Sequence, residues 1–417
     1  MKKKKWLAGL LCAAMVLSAA GCGSSGSTQG EKDAGQETAA EGSSTESEAS
    51  SEAEGEGEIV LSDLAKNHKN DGEDIIGISM PAEHLPRWNW DGNYLKKNFE
   101  DAGYKVDIRW ADNKIDTQQQ DIHELVDNGA DILLIAAVKG TELSEVLEEA
   151  KEAEVPVIAY DRIIESDSVE YYVSFDNDMV GQLEGEHIRD SLDLDNAGDN
   201  TYNIEIVSGD SNDKNADGYY YGAMGVLEPY FESGVLNVPS GQKEYNETET
   251  FQWSTEFAKE RVTGILSSYY SDRTLDGVLC ANDTAALGVA QAIDESYSGK
   301  NRPYLTGQDG DVDNLKNIME GKQTMTVYKC LPHETKAMYD LTVAFMKGEE
   351  IDESLIEKSQ WDFDVVFAPD RYSNGTEYMK SFLLTPIAIT KDNLMEELVD
   401  KGFYEYNEAD GTFSVVD

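Results

Sequence analysis

From residue 74 onward, short apolar runs alternate with amphipathic stretches. Ile75-Ile76-Gly77-Ile78-Ser79-Met80 is a compact apolar run of the kind that forms a strand buried on both faces of a parallel sheet. Residues 90–102 read as a helix that stops at Gly103, and residues 105–110 as a second strand. Ile115, Ile122, Leu125 and Val126 form a helical stripe that ends at Gly129, a usual stop signal. Residues 131–137 read as another buried strand. Leu143, Val146, Leu147 and Ala150 recur at i, i+3, i+4 and i+7, which predicts a helix with one apolar face. Residues 156–160 are the next strand, and Asp161 ends it. This β-α-β-α rhythm predicts a parallel sheet covered on both faces.

The rhythm then repeats. Residues 203–208 and 276–281 read as strands, and residues 216–230 and 257–270 as helices. Asp276-Gly277-Val278-Leu279-Cys280-Ala281 echoes Asp131-Ile132-Leu133-Leu134-Ile135-Ala136. Pro303-Tyr304-Leu305-Thr306-Gly307-Gln308-Asp309 echoes Pro156-Val157-Ile158-Ala159-Tyr160-Asp161. The expected fold class is therefore α/β, with two similar doubly wound parallel-sheet lobes. Ligands of such sheets sit outside the carboxyl ends of the strands. If those ends face each other, a cleft forms between the lobes, a favoured place for small molecules.

Ahead of the folded part the pattern changes twice. Lys2 to Lys5 precede an apolar run from Trp6 to Ala20, followed by Gly21-Cys22. A basic start, a short apolar core and small residues before a cut site predict a secretory signal. The run is shorter than the roughly 20 residues a spanning helix needs. Leu17-Ser18-Ala19-Ala20-Gly21-Cys22 resembles a bacterial lipobox, with Ala19 where a branched apolar residue is preferred; the expectation is lipid attachment at Cys22. Residues 23–58 are Gly, Ser, Thr, Ala and Glu with almost nothing apolar. They cannot bury a core and read as a tether spanning roughly 30–35 Å as a random coil.

Charge and cysteines narrow the partners. The formal net charge of -48 disfavours nucleic acid and anionic membrane surfaces. Of the four cysteines, Cys12 leaves with the signal and Cys22 is the lipid site. Cys280 and Cys330 read as small buried apolar residues. The histidines (His68, His84, His123, His187, His333) lack metal-ligand spacing, and no phosphate-binding loop is present. No cofactor and no metal are expected.

A sugar needs mixed hydrogen-bonding side chains and flat aromatics against its CH faces. The strand ends supply Pro86-Arg87-Trp88, Asp161-Arg162, Ser174-Phe175-Asp176-Asn177, Asp213-Lys214-Asn215, Asn282-Asp283, Gln308-Asp309 and Tyr328-Lys329. With Gln323-Thr324-Met325-Thr326-Val327-Tyr328-Lys329 and Leu383-Leu384-Thr385-Pro386-Ile387, this series resembles the type I periplasmic sugar-binding proteins. It is most similar to the xylose-binding and multiple-monosaccharide-binding receptors of ABC importers. Pro239-Ser240-Gly241-Gln242 and Phe251-Gln252-Trp253 favour the multiple-monosaccharide branch.

The resemblance implies a three-segment hinge, with crossings near Asn177, Lys329 and Ser381. It divides the chain into residues 73–177 plus 331–380 as one lobe and 178–330 plus 381–417 as the other, after a signal (1–21) and a lipidated tether (22–58). It places sugar contacts on Arg87, Trp88, Asp161, Arg162, Asn215, Trp253, Asn282, Asp309 and Lys329, with Trp88 and Trp253 as stacking walls. Structural alternatives stay open at several of these: a loop cap for Asp161, a helix N-cap for Asn282, a core position for Trp253 and an ion pair for Lys329. Relatives often carry Glu where this chain has Pro86, and Asn-Asn-Ala where it has Lys214-Asn215-Ala216, which leaves the choice of sugar open. The implied protein is a monomeric, non-enzymatic receptor outside the cell. It would take an aldopentose or aldohexose (xylose, arabinose, galactose or glucose) and dock on ABC permease subunits, touching the membrane through its lipid alone and binding no nucleic acid. Two alternatives are a sensor that presents its loaded form to a receptor kinase or chemoreceptor, and an enzyme acting on sugars.

Overall fold

The computed structural model describes residues 73–416; the signal segment, Cys22 and the tether lie outside the described residues. Among the described residues no helix is long and apolar enough to cross a membrane.

The first sheet is built from β1 (Ile75–Met80), β2 (Lys105–Trp110), β3 (Ile132–Ile135), β4 (Val157–Tyr160) and β5 (Val169–Phe175). The second comprises β6 (Tyr202–Val207), β7 (Leu236–Asn237), β8 (Gly277–Cys280) and β9 (Tyr304–Leu305). The chain then forms β10 (Gln308–Asp309) and β11 (Met325–Tyr328), returns to the first sheet with β12 (Val365–Ala368) and β13 (Lys380–Leu384), and leaves again through β14 (Ile387–Thr390). A terminal hairpin, β15 (Tyr404–Asn407) and β16 (Thr412–Val415), closes it.

The first sheet has seven strands in the order β12-β13-β5-β4-β3-β1-β2. All its pairings are parallel except β12 with β13. The second has four parallel strands, β7-β6-β8-β9. Three further strands, β10-β11-β14, continue beside it. Backbone bonds from Thr324 N to Leu305 O (3.0 Å) and from Val327 N to Gly307 O (2.8 Å) tie the two groups together.

The internal repeat is visible in hydrogen bonds. Asp131, just before β3, accepts from the Ile75 amide at 2.7 Å. Asp276, just before β8, accepts from the Asn203 amide at 2.8 Å. The same residue type performs the same task at the same point in each lobe. The apolar runs do what their composition demands: β3, β4 and β8 are buried at every position. The helix Leu331–Met346 packs Ala337, Met338, Leu341 and Phe345 into the first lobe's core with Ile76, Ile78 and Phe382. The helix Asn177–Ser191 instead places Ile188 with Ile204, Tyr220 and Leu227 in the second.

The chain thus passes between lobes at Asp176, at Lys329–Cys330 and at Thr385–Pro386. The last of these corrects an expectation. Ser381 is not at a crossing; it pairs with Tyr172 inside the first sheet, because the apolar run Phe382-Leu383-Leu384 completes a buried strand before Pro386 interrupts it. The helix expected over residues 90–102 begins earlier, at Pro86, since proline is suited to a first helical position. Cys280 and Cys330 are buried free thiols.

Candidate functional site

Arg87 sits in the first turn of the helix Pro86–Asp101, directly beyond β1. Its guanidinium donates to Asp161 Oδ2 at 2.6 Å and Glu334 Oε2 at 2.8 Å. It also approaches Asp91 Oδ2 at 3.5 Å and Asp309 Oδ1 at 3.7 Å. Lys329 Nζ lies 3.0 Å from Asp309 Oδ1 and 4.0 Å from Asp161 Oδ2. Residues from both lobes and from the second crossing therefore meet at one point.

Asp161 and Asp309 are both held at positive φ, 57° and 105°. Arg162 N bonds Tyr160 O at 2.6 Å, which closes a three-residue turn around Asp161. Such backbone is costly outside glycine and concentrates at functional sites. The Asp161 carbonyl accepts from Tyr172 Oη (2.6 Å), Ser174 Oγ (2.9 Å) and Asn215 Nδ2 (2.6 Å). Asn215 begins the helix Asn215–Glu232 of the other lobe, so this bond joins the lobes.

Arg162 donates to the Ala137 carbonyl at 3.0 Å and lies 3.1 Å from Asp213. The ring of Trp88 lies under two guanidinium groups, Arg87 at 4.8 Å and Arg162 at 5.1 Å. Trp88 is also 5 % exposed and belongs to the first lobe's core. Trp253 lies in a tight turn with φ of 55°, its ring 6.3 Å from that of Tyr219. It covers Gly209 so closely that a Cβ there would meet the indole at 2.1 Å. Asn282 is buried, and its Oδ1 caps the following helix through Ala285 N at 2.9 Å. The arrangement gathers Arg87, Asp161, Asp309 and Lys329 into direct contact, with Arg162 and Asn215 beside Asp161. It does not bring Asn282 or Trp253 into that ion cluster.

Several partners were not anticipated. Asp91 stands four residues after Arg87, a helical spacing that could have revealed it. Glu334 is separated from Arg87 by 247 positions, and no local pattern announces that pairing. Tyr219 lies one turn beyond Asn215, with its ring 5.8 Å from Lys329 Nζ.

Burial pushes the Asp91 carboxyl up to about 7, against the pull of Arg87. Burial and then Asp161 push Glu334 up as well. Asp161 is equally buried, but Arg87, Lys329 and Arg162 outweigh that effect and hold its pKa below the usual value. Asp309 Oδ1 is buried with no aligned hydrogen-bond donor, although Lys329 is close. The point where the lobes meet thus offers ionised acceptors beside fixed cationic donors, with aromatic rings adjoining. A separate surface groove of about 450 Å³, lined in part by Tyr220, Tyr221, Lys243 and Tyr245, includes none of these residues.

Two lobes of parallel sheet, three crossings and a polar cluster between strand ends define a bilobal solute-binding protein. The periplasmic binding protein domain family matches residues 76–350. The multiple sugar-binding periplasmic receptor ChvE of Rhizobium radiobacter is 36% identical over 334 residues, covering 79% of this chain and 90% of its own. The D-xylose-binding periplasmic protein of Escherichia coli (strain K12) is 30% identical over 353 residues, 84% of this chain and 96% of its own. A crystal structure of an ABC transporter solute-binding protein from Clostridium phytofermentans with bound β-D-glucose is 41% identical, with a TM-score of 0.74. It covers 81% of this chain and 99% of that one. The chain belongs to the periplasmic sugar-binding protein family, whose members here are binding proteins rather than enzymes.

Proposed function

We propose that this protein captures one monosaccharide, an aldopentose or aldohexose, between its lobes and hands it to an ABC importer. The observation that carries the reading is the convergence of Arg87, Asp161, Asp309 and Lys329 from separate segments. Asp309 Oδ1 faces Lys329 Nζ at 3.0 Å and Arg87 at 3.7 Å, so the cluster holds a carboxylate to which a sugar hydroxyl can donate. Asp161 and Asp309 would accept from hydroxyls, Arg87, Arg162 and Lys329 would donate to them, and Asn282 would offer its amide. Trp88 and Trp253 would flank the ring. The Asn215 bond to the Asp161 carbonyl would hold the lobes together. Glucose in the Clostridium structure and xylose in the Escherichia protein support a pyranose-sized ligand.

A calorimetric screen of D-glucose, D-galactose, D-xylose and L-arabinose tests this. Binding of at least one with 1:1 stoichiometry is expected; silence from all four would sink the assignment. The proposed division puts residues 178–330 with the segment after Pro386 in the second lobe, and residues 73–175 with 331–384 in the first. The mature chain is proposed to begin at a lipidated Cys22 and to stay on the outer face of the cell membrane. Cells grown with labelled palmitate should label the protein, and Cys22→Ser should abolish labelling and release it to the medium.

A further inference from the structure

We infer that Asp283 is a positioning residue for ligand capture: it pins the turn of residues 309–311 and so aims the Asp309 carboxylate at the cleft. The inference rests on the sugar-binding reading above. Asp283 opens the helix Asp283–Ser296, where a carboxylate ordinarily has a simple use at the positive end of the helix dipole. Its bonds go elsewhere. Oδ2 accepts from the Gly310 amide (3.0 Å), the Asp311 amide (3.0 Å) and Thr326 Oγ1 (2.9 Å). Oδ1 accepts from Gln323 Nε2 at 2.7 Å. The neighbouring Asn282, not Asp283, caps the helix.

Asp283 is fully buried, and burial followed by the Asp311 charge pushes its pKa up, while the Gln323 and Thr326 donors pull against them. Its supports are themselves satisfied: Asn314 Nδ2 donates to Gln323 Oε1 at 2.7 Å and to the Asp283 carbonyl at 2.9 Å. Gly307 shows how tightly the carboxylate is seated, because a Cβ there would stand 2.3 Å from Asp283 Oδ1. From the other side Tyr404 Oη donates to the Gly310 carbonyl at 2.8 Å. The turn is therefore gripped by its N–H groups and by its carbonyl. Asp309, the first residue of the turn, is held at φ of 105°, a conformation that needs such over-determination to persist.

The test measures D-glucose affinity by calorimetry, with D-xylose as second probe, for Asp283→Ala and Asp283→Asn. Each is made alone and in an Asp309→Asn background. Contacting groups couple by about 0.5–3 kcal/mol, so Asp283→Ala should weaken binding roughly tenfold or more when Asp309 is intact. It should change affinity less than about threefold once Asp309 is already altered. Asp283→Asn should recover part of the loss, because its oxygen can still accept from Gly310 and Asp311 while its NH2 group cannot accept from Gln323. Should Asp283→Ala fail to fold by circular dichroism, Thr326→Val carries the same test, with a several-fold loss confined to the Asp309-intact protein. Equal losses in both backgrounds, or none in either, would overturn the positioning role. If Asp309→Asn alone binds as the wild type does, the site assignment itself fails, which is a separate result.

Discussion

Asp161 and Asp309 end corresponding strands in the two lobes, and both adopt positive φ. Their supports differ. Asp161 is held through its own carbonyl, by three side-chain donors of which one, Asn215, comes from the opposite lobe. Its carboxylate is already paired with Arg87 at 2.6 Å. Asp309 is held indirectly, through a turn anchored on Asp283, and its Oδ1 meets Lys329 at 3.0 Å and Arg87 only at 3.7 Å. The first aspartate is thus built into the mechanism that joins the lobes, and the second is presented to whatever enters. One strand-end motif has been given a closing role in one lobe and a receiving role in the other.

The sharpest way to break that contrast is at Asp161. Removing one member of a buried, hydrogen-bonded charge pair costs about 2–5 kcal/mol. Asp161→Ala should therefore weaken monosaccharide binding by roughly two orders of magnitude, because Arg87 also loses its bond. Asp309→Ala should cost less, about tenfold to thirtyfold, since its side chain is 22% exposed and lies 3.7 Å from Arg87, where Asp161 lies at 2.6 Å. Calorimetry on both variants ranks them, and a larger loss at Asp309 would reverse the assignment of roles.

The pairing of these two aspartates was legible in the sequence because it rests on a repeat. The echo of residues 156–161 in residues 303–309 places Asp161 and Asp309 at matching positions, and in the companion echo of residues 131–136 in 276–281, Asp131 and Asp276 make matching bonds. Their supports were hidden for a physical reason. Glu334 and Asp283 reach their partners across 247 and 27 or more positions, where neither periodicity nor spacing carries information. The third crossing was misplaced for a related reason. Phe382-Leu383-Leu384 reads equally well as a strand of either lobe until its partner, β5, is known. Asn282 shows the reverse: its capping geometry was readable, and Oδ1 does cap its helix, so only its amide is left for a ligand.

In each lobe a carboxyl near the strand-end aspartate is also lifted. Burial lifts Asp91 in the first lobe to about 7; Asp311 in the second, although its residue reaches the surface, is lifted to about 7 by desolvation and by the Asp309 charge. An unfolded aspartate titrates near 3.9. Between about pH 4 and 7 the folded protein therefore holds more protons than the unfolded chain, and stability falls as pH rises through that window. The contribution is fully present below about pH 4 and lost above about pH 7. Thermal melts should show Tm declining from pH 5 to pH 8, and Asp91→Asn should flatten part of the decline. An unchanged slope would place the titration on Asp311 instead.

The smallest expected effect lies outside the cluster, at the first crossing. Arg371, in the segment between β12 and β13, forms a bidentate pair with Asp176 at 2.6 and 2.7 Å and reaches Asp178 at 3.0 Å. The adjoining Tyr372 hydroxyl accepts from the Asn177 amide at 3.2 Å. These contacts clasp the crossing to the first lobe without touching the ligand cluster. Asp176 also caps the next helix through Met179 N at 3.0 Å, so the crossing keeps its local shape if the arginine is lost. Arg371 is partly exposed, 37%, and ion pairs in that setting contribute about 0.2–1 kcal/mol. Arg371→Ala should consequently weaken binding no more than about fivefold, with the change in the dissociation rate as the clasp on the closed form relaxes. Stopped-flow rates separate the two cases. A loss beyond tenfold would show that closure is governed from the hinge as much as from Asp161, and the contrast between the two aspartates would then describe only where the ligand is held, not what holds the lobes shut.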